Sequence, residues 1–124
     1  MGTLAVKRAY APPDERDGRR ILVDRLWPRG LGRANAAIDD WMKDIAPTPG
    51  LRKWFDHDPA RFAQFASRYR RELDANPEPV TRLCALLQDG DVTLVYAARD
   101  ERINHARVLA GYLAGRGCAL KMEG

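Results

Sequence analysis

Apolar positions along the chain fall into two rhythms, short continuous runs and longer stripes spaced three or four residues apart, with Pro and Gly between them. Leu4 to Arg8 predicts a first strand, and Pro12 to Gly18 a polar turn. Arg20 to Trp27 resumes with branched residues as a second strand, which Pro28 ends. Asn35 predicts the cap of a helix carrying Ile38, Trp41, Met42 and Ile45, stopped by Pro47, and Thr48-Pro49 opens a short turn through Leu51, Trp54 and Phe55. The clearest helix follows, with Asp58 as cap, Pro59 at the first helical position, and Phe62, Phe65, Ala66, Tyr69 and Leu73 as one stripe.

Asn76-Pro77 repeats that start signal for a helix burying Val80, Leu83, Cys84 and Leu87, and Asp89-Gly90 ends it. Val92 to Ala97 is the nearly unbroken apolar run of a strand covered on both faces. Asp100 predicts the cap of a last helix with Ile103, Ala106, Ala110 and Leu113 inward, before a short final strand, Cys118 to Leu120. Strands alternating with helices predict an α/β fold, one domain over 1–124 with a small, mostly parallel sheet of about four strands flanked by helices. Ligands of such folds bind where the strands end, so the loops after the second and third predicted strands carry the candidate chemistry.

Composition changes this picture little. The 124 residues are 45% hydrophobic and 31% charged, an ordinary globular balance. Of the 21 basic residues 17 are Arg, a skew that fits an anion partner, or equally a GC-rich coding bias, since 18 alanines accompany it. The net charge is +4. No apolar run reaches the length of a membrane span and the N-terminus does not read as a signal peptide, so no membrane partner is expected. Cys84 and Cys118 are too few for a disulfide scaffold and lack metal-ligand spacing; they read as small buried hydrophobes in a cytoplasmic protein.

At the first strand exit, Arg25 and Arg29 bracket Trp27-Pro28, and Gly30 and Gly32 follow, which suits close approach of backbone to an anion. The run lacks both the third glycine of a dinucleotide fingerprint and the ending of a P-loop, so it names no cofactor. At the second exit, Tyr96 leads to Arg99, Asn104 and His105, where free amides at a helix start would assist. His105 is the one candidate general acid or base. His57, between Asp56 and Asp58, lines a pocket or fixes its loop; no metal site is expected there. Ser67, the sole serine, lies mid-helix, and neither serine nor thiol catalysis is supported.

Several of these runs together resemble one family. Ile21 to Gly30, Trp41 and Lys43 with Ala46-Pro47, Leu51 to Phe55 with His57-Asp58-Pro59, and Val92 to Ala98 with Asp100 and Asn104-His105-Ala106 resemble the bacterial domain-of-unknown-function 488 family, in its short YeaO-like branch. The resemblance spans residues 4 to 121 and implies a compact cytoplasmic α/β domain. Longer members of the wider family resemble this pattern with a Cys where Tyr96 stands and Cys-His-Arg where Asn104-His105-Ala106 stand, so thiol chemistry does not carry over. Arg99 replaces a more usual Lys, and Thr48 a usual Ser.

The expected function is therefore a site for a phosphorylated or carboxylated small molecule, a nucleotide among the candidates, at Arg25, Trp27, Arg29, His57, Tyr96, Arg99 and Asn104, with His105 as the acid–base group. The alternative is a nucleic-acid-binding or regulatory accessory module without catalysis, which basic charge permits and no binding motif supports.

Overall fold

The computed structural model describes residues 2–118 and 122–123. Strand β1 (Leu4–Arg8) is followed by a single 3-10 turn and β2 (Arg19–Leu22), then helix α1 (Arg33–Ala36) and strand β3 (Asp40–Trp41). Helices α2 (Pro49–Phe55), α3 (Phe62–Asp74) and α4 (Pro77–Asp89) come next, then β4 (Val92–Tyr96), α5 (His105–Gly115) and β5 (Met122–Glu123). The strands form one sheet in the order β3-β2-β4-β1-β5, and every pairing is parallel. The expected α/β architecture with a parallel sheet is thus the observed one.

Alternation along the strands sorts side chains to two faces. Leu4, Val6, Ile21, Val23, Val92, Leu94 and Tyr96 join the larger core, which α2 to α5 complete with Phe55, Phe65, Tyr69, Leu73, Leu83, Leu87, Leu109 and Leu113. Ala9, Leu22 and Val95 form a smaller core on the other face, roofed by Trp27, Leu31, Ile38 and Trp41. Strand β4 is buried along its whole length because both faces are covered.

Four expectations change. The helix expected from Asn35 to Ile45 is broken into α1, β3 and a 3-10 turn over Lys43–Ile45. Ala37 takes a left-handed conformation (φ 51°) that ends α1, and β3 pairs with β2, which sends Ile38 and Trp41 to one core and Met42 and Ile45 to the other. The second strand stops at Leu22, because from Asp24 onward the chain turns to build the site. The last helix begins at His105 with Asn104 as its cap; Asp100 caps only the turn before it. In the expected final strand, Cys118 closes the turn after α5 and positions 119–120 lie outside the described residues; β5 begins at Met122.

The cysteines are a further correction. Cys84 on α4 and Cys118 at the end of α5 are joined as a disulfide across 34 positions, where separate thiols were expected. Packing α4 and α5 on one face of the sheet brings together residues whose spacing in sequence gives no sign of it. Among the described residues, no helix is long and apolar enough to cross a membrane.

Candidate functional site

Neighbouring strands β2 and β4 end side by side, and the loops that leave them open onto a cleft of about 790 Å³. From the β2 exit come Asp24 and Arg25; from the β4 exit come Ala97, Ala98, Arg99 and Asp100, with Asn104 and His105 beginning α5. The opposite wall is Arg52, Lys53, Phe55, Asp56 and His57 at the end of α2, preceded by Ala46, Pro47 and Pro49.

Helix α2 is set firmly. Thr48 caps it, its Oγ1 accepting from Leu51 N at 3.3 Å and donating to Glu72 Oε2 at 2.7 Å, while Thr48 N donates to Glu72 Oε1 at 3.0 Å. At its other end Asp56 (φ 48°) and His57 (φ 54°) both adopt the left-handed region without being glycine, at about 1–2 kcal/mol each. Such consecutive strain persists only where the surrounding structure imposes it, and here it turns His57 into the cleft wall.

The floor is a carboxylate–imidazole pair. Asp24 Oδ2 accepts from Ala97 N at 3.0 Å and so ties the two strand exits together. His105 Nε2 lies 3.0 Å from Asp24 Oδ1 and 3.1 Å from Val23 O. Two oxygens facing Nε2 make it the donor nitrogen of the ring, so that in the neutral ring Nδ1 is the acceptor. One proton does not satisfy both oxygens. Asp24 Oδ1, although within ion-pair distance of the ring, has no well-directed hydrogen bond, and Arg25 Nε is likewise buried without a partner. Arg25 is steadied through Nη2, which donates to Ala46 O and Pro47 O, each at 3.3 Å.

Tyr69 supports this floor from the core. Its hydroxyl donates to Ile45 O at 2.7 Å, next to the carbonyls that hold Arg25, and its ring meets His105 edge-on at 6.3 Å. Burial, with the charges of Glu72 and Asp24 adding to it, pushes the Tyr69 hydroxyl well above its ordinary pKa, so it stays a neutral donor.

Of the residues expected at the site, Arg25, His57, Arg99, Asn104 and His105 line the cleft together. Trp27, Arg29 and Tyr96 do not. Trp27 roofs the smaller core, donating from Nε1 to Leu31 O at 2.7 Å and meeting Trp41 edge-on at 5.5 Å, because the loop after β2 folds over the other face of the sheet. Arg29 travels with that loop, its carbonyl accepting from the Tyr10 hydroxyl at 2.8 Å, and Gly30 and Gly32 go with it. Tyr96 is 1% exposed within the larger core, since strand alternation turns its side chain toward the helices.

Several of the amides around the start of α5 are also taken. Asp100 Oδ1 accepts from Arg102 N and Ile103 N at 2.8 and 2.9 Å, bonds that hold its carboxyl below the usual range. Asn104 is committed twice, its Oδ1 accepting from Arg107 N at 3.0 Å and its Nδ2 donating to Asp100 O at 2.9 Å. Asn104 shapes the cleft with its amide oxygen and one of its two amide hydrogens already engaged. Asp24, the partner of His105, lines the cleft although composition and spacing did not single it out; its signal is a carboxylate two positions beyond a buried strand.

A parallel α/β domain with a polar cleft at the carboxyl edge of its sheet is the class that this geometry defines. Residues 3–120 match the family model described as the inactive DUF488-N3 subclade, and the chain belongs to the domain-of-unknown-function 488 family. Its YeaO-like character shows in the relatives. The Uncharacterized protein YeaO of Escherichia coli (strain K12) is 42% identical over 110 residues, 89% of this chain and 96% of that protein. The Uncharacterized protein Rv3073c of Mycobacterium tuberculosis (strain ATCC 25618 / H37Rv) and the Uncharacterized protein Mb3100c of Mycobacterium bovis (strain ATCC BAA-935 / AF2122/97) are each 43% identical over 113 residues, 91% of this chain and 95% of theirs. No solved structure matches the chain significantly.

Proposed function

We propose that the cleft binds a phosphorylated or carboxylated small molecule, a nucleotide among the candidates, and holds it without turning it over. The observation that carries this reading is the set of cations in the walls. Arg25, Arg52, Lys53 and Arg99 all line the cleft, and among the described residues Arg52, Lys53 and Arg99 make no side-chain hydrogen bond or ion pair. Cations left uncompensated around a concave surface are the complement of an anion. Ala46, Pro47, Pro49, Phe55, Ala97 and Ala98 supply apolar surface between them, and the volume suits a ligand of nucleotide size better than a bare ion.

The binding reading is preferred to a catalytic one because, among the described residues, no serine, threonine or cysteine lines the cleft, and the matching family model is described as inactive. His105, with Asp24 on Nε2, then serves as a hydrogen-bonding group for the ligand. Thermal shift at constant ionic strength with inorganic phosphate, adenosine monophosphate and citrate tests the reading. At least one should raise the midpoint, and Arg25→Ala should weaken that ligand about thirtyfold, the equivalent of about 2 kcal/mol for a lost charge-assisted bond. Arg99→Ala should weaken it too. Unchanged affinity in both variants overturns the site. Duplex DNA binding that falls with salt at a log–log slope near 0.9 per phosphate contacted would point instead to a nucleic-acid module.

A further inference from the structure

We infer that Cys84 and Cys118 are a reversible redox pair that clasps helix α4 to the end of α5. Both sulfurs are placed by helices. Cys84 lies on α4 between the buried Leu83 and Leu87 positions. Cys118 is seated by the turn that ends α5, in which Gly117 takes φ 75°, Gly117 N donates to Ala114 O at 3.0 Å, and Cys118 N donates to Leu113 O at 3.1 Å. In this arrangement the two Cα atoms stand 5.2 Å apart, inside the range that a disulfide needs. A pair held in register by packing re-forms readily after reduction, which separates a redox switch from a one-time crosslink.

The surroundings also set the order of events. Cys118 is 8% exposed, whereas Cys84 is only half-buried, so the external reagent meets Cys84. With a low-molecular-weight disulfide as oxidant, the Cys84 thiolate attacks one of its sulfurs, forming a mixed disulfide and releasing one thiolate. The Cys118 thiolate then attacks Cys84 Sγ, closing the protein disulfide and releasing the second. The two protons lost by the cysteines go to the released thiolates, and the protein gives up two electrons to the reagent.

The consequence falls at the sheet edge. Strand β5 begins four residues after Cys118 and pairs with β1 at Leu4 and Ala5. Oxidised, Cys118 is tethered to α4; reduced, β5 keeps its short pairing with β1 and its contact with α5 but loses that tether nearby. The cleft lies at the opposite end of α5, a helix of 11 residues about 16 Å long, and is not disturbed.

The test uses the full chain equilibrated in buffers of reduced and oxidised glutathione, then alkylated with iodoacetamide and weighed intact. The expected result is one reversible two-electron transition between a doubly alkylated and an unalkylated species. Amide exchange at Leu4 and Glu123, whose amides face the β1–β5 pairing, should rise about tenfold or more on reduction, with exchange at Ala5 and at His105 to Arg107 unchanged. Cys118→Ser should trap glutathione on Cys84, and Cys84→Ser should trap little on the buried Cys118. Two alkylatable thiols persisting in oxidised glutathione, or a stable glutathione adduct on the unsubstituted protein, overturns the inference. The titration of the unsubstituted chain decides even if a variant does not fold.

Discussion

Arg20→Met should lower the unfolding free energy by about 3–5 kcal/mol, while Arg19→Met, one residue earlier, should change it by less than about 1. The two arginines begin the same strand and differ in where they point. Arg19 reaches Asp40 at 3.0 Å across the surface, with about half of its side chain exposed. Arg20 is 4% exposed and fully committed, Nη1 to Asp17 Oδ2 at 2.6 Å, Nε to Ala37 O at 3.0 Å and Nη2 to Ala36 O at 3.0 Å. Removing it strands two carbonyls and strips Asp17 of one cation, leaving Lys7 at 3.2 Å. Urea unfolding of both variants checks the contrast, and equal losses would show that burial is not what distinguishes them.

Asp17 makes the same cluster sensitive to acid. Burial works to raise its pKa, but the backbone bond from Asp14 and the side-chain bonds from Arg20 and Lys7 prevail and hold it below 3.8. A carboxyl depressed on folding contributes stability that is whole above its ordinary value and drains as pH falls through the lower folded one. The stability gap between the unsubstituted chain and Asp17→Asn should therefore hold constant from pH 7 to about 5 and narrow below about pH 4. A gap independent of pH would mean that Asp17 acts through shape rather than charge.

Gly18→Ala should cost about 3–5 kcal/mol as well, for backbone reasons. Gly18 has φ 64°, a region that L side chains rarely adopt, and a Cβ there would lie 2.4 Å from Asp91 O. That oxygen accepts from Arg19 N at 3.0 Å, the bond that starts the pairing of β2 with β4. The neighbouring carboxylate is equally engaged, Asp91 Oδ1 accepting from Thr3 N at 2.8 Å and Thr3 Oγ1 at 3.1 Å. The added methyl thus pushes apart the point where three central strands begin. Gly30→Ala is the control, since Gly30 shares a positive φ (78°) but has nothing within 4 Å of its Cβ position. A midpoint loss for Gly18→Ala no larger than for Gly30→Ala would assign the whole effect to the dihedral angle.

What the sequence made legible follows from which forces are local. Helix α3 is readable because Phe65, Ala66, Tyr69 and Leu73 share one buried face, although Asp58 and Pro59 open the 3-10 turn Pro59–Arg61 that leads into it and α3 itself starts at Phe62. The segment from Ile38 to Ile45 mimics that spacing, yet its apolar side chains serve two cores on opposite sides of the sheet, and periodicity does not record the crossing. That Arg25, Arg99 and His105 line one cleft was legible because each stands at or just beyond a strand exit on one edge. Trp27 and Arg29 follow the same exit but ride a loop that folds over the far face, a path fixed by Trp27 meeting Trp41 rather than by local signals. Asp100 and Asn104 each satisfy backbone donors locally, Ile103 N in the turn before α5 and Arg107 N in its first turn, a commitment that the sequence spacing alone does not show. The meeting of Cys84 with Cys118 depends wholly on tertiary packing.

The strand order has a consequence during synthesis. Strand β1 lies between β4 and β5, so Leu4 has no strand to pair with until Val92 has been made, 88 residues later. At about 5–20 residues per second, the first strand waits roughly 4–18 s on the ribosome for its partner. Until then Leu4 and Val6, both buried in the finished core, have no sheet to enter. Until β4 is made this apolar segment is open to holding chaperones, and the centre of the sheet closes only after Val92 to Tyr96 have been synthesised.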